Sequence, residues 1–262
     1  MPEILEIERY ARLASRTVGR RIVRVDTPDL WFLKHGADVA SVHAVASGAV
    51  VEAIRRIGKL LLVDLRDRPT LGLRFGMTGR LFVDGIAGIG ELEYGPSRVE
   101  PAWERFRLVF DAGELVMHDP RRLGGVAVAP DESRLGPDAR SLSLEALSRA
   151  LVGGRAPLKA RLMDQTRIAG LGNLLTDETL WRARLAPDRA AGSLGRGELA
   201  GLLATMHDVL RDLDVRGGSH TGDLQIARAP DAACPRCGSP IVKQAVAGRS
   251  TYWCAACVGH RH

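Results

Sequence analysis

The sequence predicts an α+β chain: an N-terminal helix on a β-sandwich or barrel, then a helical domain, then a small metal-binding ribbon. Three observations carry this reading. Short apolar stretches separated by turn residues recur from Ile22 to Val128, the pattern of an antiparallel β domain. Leucines at helical spacing dominate beyond Leu142. All four cysteines lie in the last 29 of the 262 residues, as Cys234-Pro-Arg-Cys237 and, sixteen residues on, Cys254-Ala-Ala-Cys257. Two such knuckles at this separation point to one tetrahedral structural zinc on a β-hairpin. Four thiolates leave the ion no open position, so it performs no catalysis.

Each element follows in order. Ile7, Tyr10, Ala11, Leu13 and Ala14, with arginines between, predict an amphipathic helix over residues 6–18, ending near Gly19. Residues 22–25 read as a strand. Residues 50–65 read as two strands broken at Gly58-Lys59, and 71–83 as a strand region turned or bulged at its glycines. Phe106 to Phe110 alternates as a half-buried strand does, and Val116 and Val126 mark two more. Pro130, Gly136 and Pro137 make residues 129–138 a linker. Beyond it Leu142, Leu144, Leu147 and Leu151 form an apolar stripe behind the candidate caps Ser141 and Ser143. A longer helix spans residues 199–213. The expected domains are residues 1–130, 131–225 and 226–262.

The formal charge of +6 favours a polyanionic partner. No stretch is long and apolar enough for a membrane span, and no signal peptide precedes Pro2. A soluble intracellular protein is expected, cytoplasmic in a bacterium.

Several residues carry candidate chemistry. Removal of Met1 leaves Pro2 with a secondary amine of ordinary pKa near ~8, partly unprotonated at neutral pH. Such an amine can attack a sugar aldehyde carbon to form an iminium ion. Glu3 and Glu6 are two nearby carboxylates able to move protons; the plainer alternative is that they charge a helix start. Lys59 sits at a hairpin tip, and Met77 lies between Gly76 and Thr78. Residues 119–124, Asp-Pro-Arg-Arg-Leu-Gly, place basic side chains beside an apolar one, which suits entry into a DNA groove. An ordinary surface turn is the alternative. Gly170-Leu171-Gly172-Asn173 opens a helix whose free N–H groups can hold a phosphate; a plain helix–turn–helix joint is the alternative. Residues 226–262 hold Arg228, Arg236, Lys243, Arg249 and Arg261 against one acid, Asp231, so the ribbon's arm reads as a basic hairpin.

These pieces, in this order, resemble the formamidopyrimidine-DNA glycosylase/endonuclease VIII family of base-excision repair enzymes. The likeness covers nearly the whole chain. It rests on Pro2-Glu3, Gly58-Lys59, Gly76-Met77-Thr78-Gly79, residues 119–124, residues 164–173, and the four cysteines with Gly248-Arg249-Ser250-Thr251. It implies a β-sandwich domain, a helix–two-turn–helix domain and a zinc finger, with damaged double-stranded DNA in the cleft between. The implied activity is a monomeric bifunctional glycosylase/AP lyase. By the same resemblance Pro2 is the nucleophile, Glu3 its acid/base partner and Lys59 the proton donor in β-elimination. Arg249 serves δ-elimination and holds phosphates, while Asn173 and Lys159 are further phosphate contacts. Met77, Arg121 and Leu123 fill the gap left by an everted base. The Gly-Met-Thr-Gly and Asp-Pro-Arg-Arg motifs favour the formamidopyrimidine branch.

Four departures stand out. Ile4-Leu5 replace the usual Leu-Pro after Pro-Glu. Leu123 replaces the usual phenylalanine, and Arg105 a DNA-contacting histidine. Only fifteen residues separate Gly218 from Cys234, where the family has a longer segment that folds over an everted oxidised purine. Two other functions fit parts of the sequence: a damaged-DNA-binding protein without catalysis, and a zinc-ribbon module that binds proteins. The second needs neither the Pro2 start nor the Asn173 turn.

Overall fold

The computed structural model describes residues 2–90, 92, 95–96, 98–229 and 232–259. Asp231 and Arg261, two of the ribbon charges, lie outside them. The chain forms two compact units, residues 1–132 and 133–262.

The first unit holds α1 (Ile4–Ala14), β1 (Ile22–Asp26), α2 (Val39–Ala46), β2 (Val51–Ile57), β3 (Leu60–Leu65), β4 (Arg68–Arg74), β5 (Arg80–Val83), β6 (Ile86–Ala87), β7 (Glu104–Phe110), β8 (Glu114–His118) and β9 (Gly125–Val128). One sheet runs β1-β7-β8-β5-β6 and the other β2-β3-β4-β9. Every pairing is antiparallel. Leu61, Val63 and Leu73 from one sheet and Leu81, Phe106 and Leu115 from the other enter a single core. This is the expected sandwich. The predicted break at Gly58-Lys59 is a two-residue turn between Ile57 and Leu60.

Helix α1 starts earlier than the periodicity predicts, at Ile4 rather than Glu6. The reason is a cap: the Glu6 carboxylate accepts the Glu3 N–H at 2.8 Å, satisfying one of the orphan donors of the first turn. Ile4, Leu5, Ile7, Tyr10 and Ala14 are all buried. An 11-residue helix is marginal alone. Burial of large apolar side chains at roughly 1.5–3 kcal/mol each makes the packing, not propensity, decisive here. Helix α2 was not expected from the sequence; its signal is local, with Asp38 accepting Ser41 N–H at 2.7 Å and Ser41 Oγ accepting Asp38 N–H at 3.0 Å.

In the second unit are α3 (Leu144–Leu151), α4 (Leu158–Met163), α5 (Asn173–Arg182), α6 (Arg196–Arg216), β10 (Val242–Val246), β11 (Arg249–Trp253) and α7 (Ala255–Gly259). Ser143, one of the two expected caps, accepts Ala146 N–H at 3.2 Å; Ser141 lies in a 3₁₀ turn instead. Helix α5 is the spine of this unit: all eight residues from Leu174 to Trp181 are buried, and it packs against α4, α6 and β11. Strands β10 and β11 close through Ala247-Gly248, both at positive φ (48° and 74°), as a tight two-residue hairpin turn requires.

Candidate active site and metal centre

Pro2 is buried at the head of α1. It lines a cavity of about 190 Å³ with Lys59, Arg74, Gly76 and Leu123. Residues from four separate stretches of the first unit therefore meet at one place. Helix α1 ties them together. Glu8 accepts Arg56 Nε–H at 2.7 Å, and the same guanidinium donates to Gly58 O at 3.1 Å, which anchors the turn carrying Lys59. Tyr10 donates its hydroxyl to Gly79 O at 3.0 Å, and its ring lies 4.6 Å from that of Phe75, which anchors the turn carrying Met77. Glu3 is fully buried and Glu6 is 3% exposed. Through its hydrogen bond to Glu3 N–H, the Glu6 carboxylate shapes the backbone next to Pro2.

The turn at residues 75–79 and that at 119–124 are held to one another by Asp119. This carboxylate is fully buried. Its Oδ1 accepts Thr78 Oγ1–H at 2.6 Å and Arg121 N–H at 3.2 Å, and its Oδ2 accepts Gly124 N–H at 2.7 Å. Gly76 has φ +55°, and a Cβ there would lie 2.5 Å from the Leu123 carbonyl carbon, so only glycine lets the two turns meet so closely. Met77 is half-buried, whereas Arg121 and Leu123 are exposed. Arg122 differs from its neighbour. It sits at φ 56° and holds Asp29 by two bonds of 2.6 Å. The Arg122 hydrogen bonds outweigh burial and hold Asp29 below the usual carboxylate range. Arg105, expected as a DNA contact, donates Nε–H to Asp119 O at 2.9 Å and lies 3.6 Å from Asp29. Its guanidinium thus braces the base of the turn.

Removing Asp119 leaves three donors unpaired, of which the buried Thr78 hydroxyl and Gly124 N–H cost on the order of 1–3 kcal/mol each. Asp119→Ala is expected to lower thermal stability and to release both turns together. Excision of a base-paired lesion should fall further than cleavage at a preformed abasic site, where no base has to be displaced. Equal losses on both substrates would show that Asp119 serves the fold alone.

In the second unit Lys159 requires a correction. The expected phosphate contact is fully buried. Its ammonium lies 2.7 Å from Asp177 Oδ1 and donates to Ser250 O at 3.1 Å and Thr251 Oγ1 at 2.8 Å. The ammonium is fully buried among these three oxygens, so it does not face solvent as a phosphate contact must. Asp177 also pairs with Arg228 at 2.6 Å and accepts Tyr252 N–H at 3.2 Å. Burial pushes the Asp177 carboxyl up, and Lys159 and Arg228 pull it back. Asn173, at the first position of α5, donates Nδ2–H to Ser250 O at 3.0 Å. Arg249 opens β11 at the hairpin tip and is exposed. Lys159 and Asn173 both grip the residue that follows it, so they set where Arg249 stands.

The four cysteine sulfurs lie within 4.8 Å of one another. Three separations are 3.7 Å (Cys234–Cys257), 3.5 Å (Cys237–Cys254) and 3.6 Å (Cys237–Cys257). Tetrahedral zinc with Zn–S of about 2.3 Å needs sulfurs about 3.8 Å apart. These distances fit, and they are far too long for disulfides. Trp181 donates Nε1–H to Cys234 Sγ at 3.3 Å, a donor suited to a metal-bound thiolate. The site holds one structural zinc through Cys234, Cys237, Cys254 and Cys257. Trp181, Leu224 and Ala227 pack on the cysteines as one small core. One equivalent of zinc is expected by metal analysis. Chelation should expose this core and weaken DNA binding, read as a rise in hairpin proteolysis and in Kd; cysteines found paired as disulfides would overturn the assignment.

Residues 1–126 match the family model described as the formamidopyrimidine-DNA glycosylase N-terminal domain, 135–223 its H2TH domain, and 233–258 the zinc finger found in FPG and IleRS. The formamidopyrimidine-DNA glycosylase of Paracoccus denitrificans is 34% identical over 286 residues, spanning 98% of this chain and 99% of that protein. The chain belongs to the formamidopyrimidine-DNA glycosylase family. The formamidopyrimidine-DNA glycosylase of Symbiobacterium thermophilum is 35% identical, covering 98% of this chain and 89% of the relative. Among solved structures, the Lactococcus lactis Fpg with an abasic-site DNA shares the fold at TM-score 0.81 and 22% identity, covering 98% of this chain and 99% of that one. MutM in complex with DNA containing carbocyclic 8-oxo-G matches at TM-score 0.81 and 25% identity with the same coverage. The Paracoccus alignment is longer than this chain, so that relative has residues without a counterpart here.

Family membership directs attention to what sequence reasoning missed. Asp119 lies in the Asp-Pro-Arg-Arg-Leu-Gly stretch, but its role as the common acceptor for two turns has no signature in the linear sequence. Asp177 and Arg228 carried no signal beyond being charged. Their partners are remote in sequence, and only burial shows that these charges are not solvated.

Proposed function

We propose that the protein is a bifunctional DNA glycosylase/AP lyase acting on oxidised or ring-opened bases. The observation that carries this is the shared cavity of Pro2, Lys59 and Leu123, because it puts an amine nucleophile, a second amine and an apolar side chain within reach of one nucleotide. The roles run as follows. Cationic surfaces capture duplex DNA by displacing counterions. Met77, Arg121 and Leu123 fill the space of an everted nucleotide. The Pro2 amine, freed by removal of Met1, attacks C1′; the C1′–base bond breaks, the base leaves with a proton, and Glu3 assists opening of the sugar. The resulting iminium permits β-elimination, with Lys59 as proton carrier, and δ-elimination with Arg249. Asn173 and Arg249 contact phosphates. Glu6 acts through Glu3 as a positioning residue rather than as a second proton carrier, since its carboxylate already accepts the Glu3 N–H.

The catalytic domain in this reading ends near residue 130, the helical DNA-binding domain runs to about 225, and the zinc finger completes the chain. The protein works as a monomer on cytoplasmic DNA; among the described residues no helix is long and apolar enough to cross a membrane. Borohydride reduction on an abasic-site duplex is the test. A covalent protein–DNA adduct supports the lyase; tight binding without adduct supports a damaged-DNA-binding protein of the same fold.

A further inference from the structure

Leu30 and Trp31 are each 67% exposed although large and apolar. They belong to a 3₁₀ turn, Leu30–Phe32, whose last residue is fully buried. Single exposed apolar residues are ordinary, so placement decides what these two mean. Their segment is joined to the 119–124 turn and the strand that follows it at three points. Asp29 holds Arg122. Lys34 N–H donates to Val126 O at 2.8 Å. The Phe32 ring lies 3.0 Å from where a Gly124 Cβ would stand. Lys34 Nζ sits 4.4 Å from the centre of the Trp31 ring. The same lysine lines a cavity of about 220 Å³ with His35, Arg74 and Leu123. Trp31, Lys34 and Leu123 thus form one continuous edge that is aromatic, then cationic, then apolar.

We propose that Trp31 and Lys34 are a further DNA contact, which takes a nucleotide next to the displaced one. Its base or sugar stacks on the Trp31 indole and its phosphate pairs with the Lys34 ammonium. This rests on the reading of Arg121 and Leu123 as the side chains that enter the gap. Two properties favour DNA over a protein as occupant. The edge carries Lys34 and Arg74 in a chain of net charge +6, and an aromatic face with a cation beside it is the usual platform for bases and phosphates.

The test is binding to a duplex with an uncleavable abasic analogue. Trp31→Ala should raise Kd by about tenfold, within the range that loss of one base–aromatic stack produces, and Trp31→Phe should restore most of it. Lys34→Ala should reduce the slope of log K against log salt by about one. Thermal unfolding should be unchanged in Trp31→Ala, since the side chain is exposed. If Arg121→Ala weakens binding while Trp31→Ala does not, the proposal is overturned and the edge is left to a protein partner. If neither substitution weakens binding, the reading of the 119–124 turn fails and takes the proposal with it.

Discussion

One residue added ahead of Pro2, or retention of Met1, is expected to abolish the borohydride-trapped adduct with abasic DNA. The proposed nucleophile is a secondary amine that exists only when proline is N-terminal; as an amide its nitrogen has no free lone pair. The loss should be complete within detection, because without an iminium there is no electron sink for elimination, and covalent catalysis of this type is what divides one hard step into two easier ones. Binding should survive, since Arg121, Leu123, Asn173 and Arg249 are untouched. Pro2→Gly is the weaker test, because its primary amine can still form a Schiff base. An undiminished adduct in the extended protein would move the nucleophile to Lys59, the other amine that lines the cavity.

The second large effect concerns lesion choice. Single-turnover excision of 8-oxoguanine opposite cytosine is expected to be on the order of a hundredfold slower than excision of a formamidopyrimidine in the same duplex, the scale that absent polar recognition allows. Oxidised guanine differs from guanine by few atoms, so a site must place polar groups around the base to select it. The segment after Gly218 has no chain to spare for that. It forms two 3₁₀ turns, Ser219–Thr221 and Asp223–Ala227. Asp223 and Leu224 donate their N–H groups to Glu178 at 3.1 and 2.9 Å. Leu224 and Ala227 are buried against the cysteines, and Arg228 pairs with Asp177. The segment is a strap between α6 and the zinc ribbon. We propose that the base pocket is therefore open, and it should then favour lesions that unpair or leave readily: abasic sites, formamidopyrimidines and oxidised pyrimidines. Equal rates on 8-oxoguanine and formamidopyrimidine would mean that other residues supply the missing contacts.

What could be read without the structure was what local chemistry encodes. Alternating apolar residues and turn glycines carry the strands of the sandwich, since a half-buried strand repeats every two residues whatever it pairs with. Paired Cys-x-x-Cys knuckles carry the zinc, since four thiolates at that spacing have few other uses. The order of short motifs from Pro2 to Arg249 carries the family. Boundaries were less legible: α1 begins at Ile4 because the Glu6 carboxylate satisfies the Glu3 N–H, a bond that periodicity does not register.

Tertiary structure alone decided which charges meet solvent. Lys159, Arg105 and Arg249 are all cations near apolar residues in the sequence, yet Lys159 is enclosed by Asp177, Ser250 and Thr251, Arg105 braces a turn, and Arg249 stands free at a hairpin tip. The difference is burial: a buried cation must be fully paired, whereas an exposed one is free to meet a phosphate. Partners 18 and 91 residues away from Lys159 cannot be inferred from a linear pattern. The sequence by itself determined the strands, the metal and the family; the folded chain determined which side chains hold the site together and which are left to act.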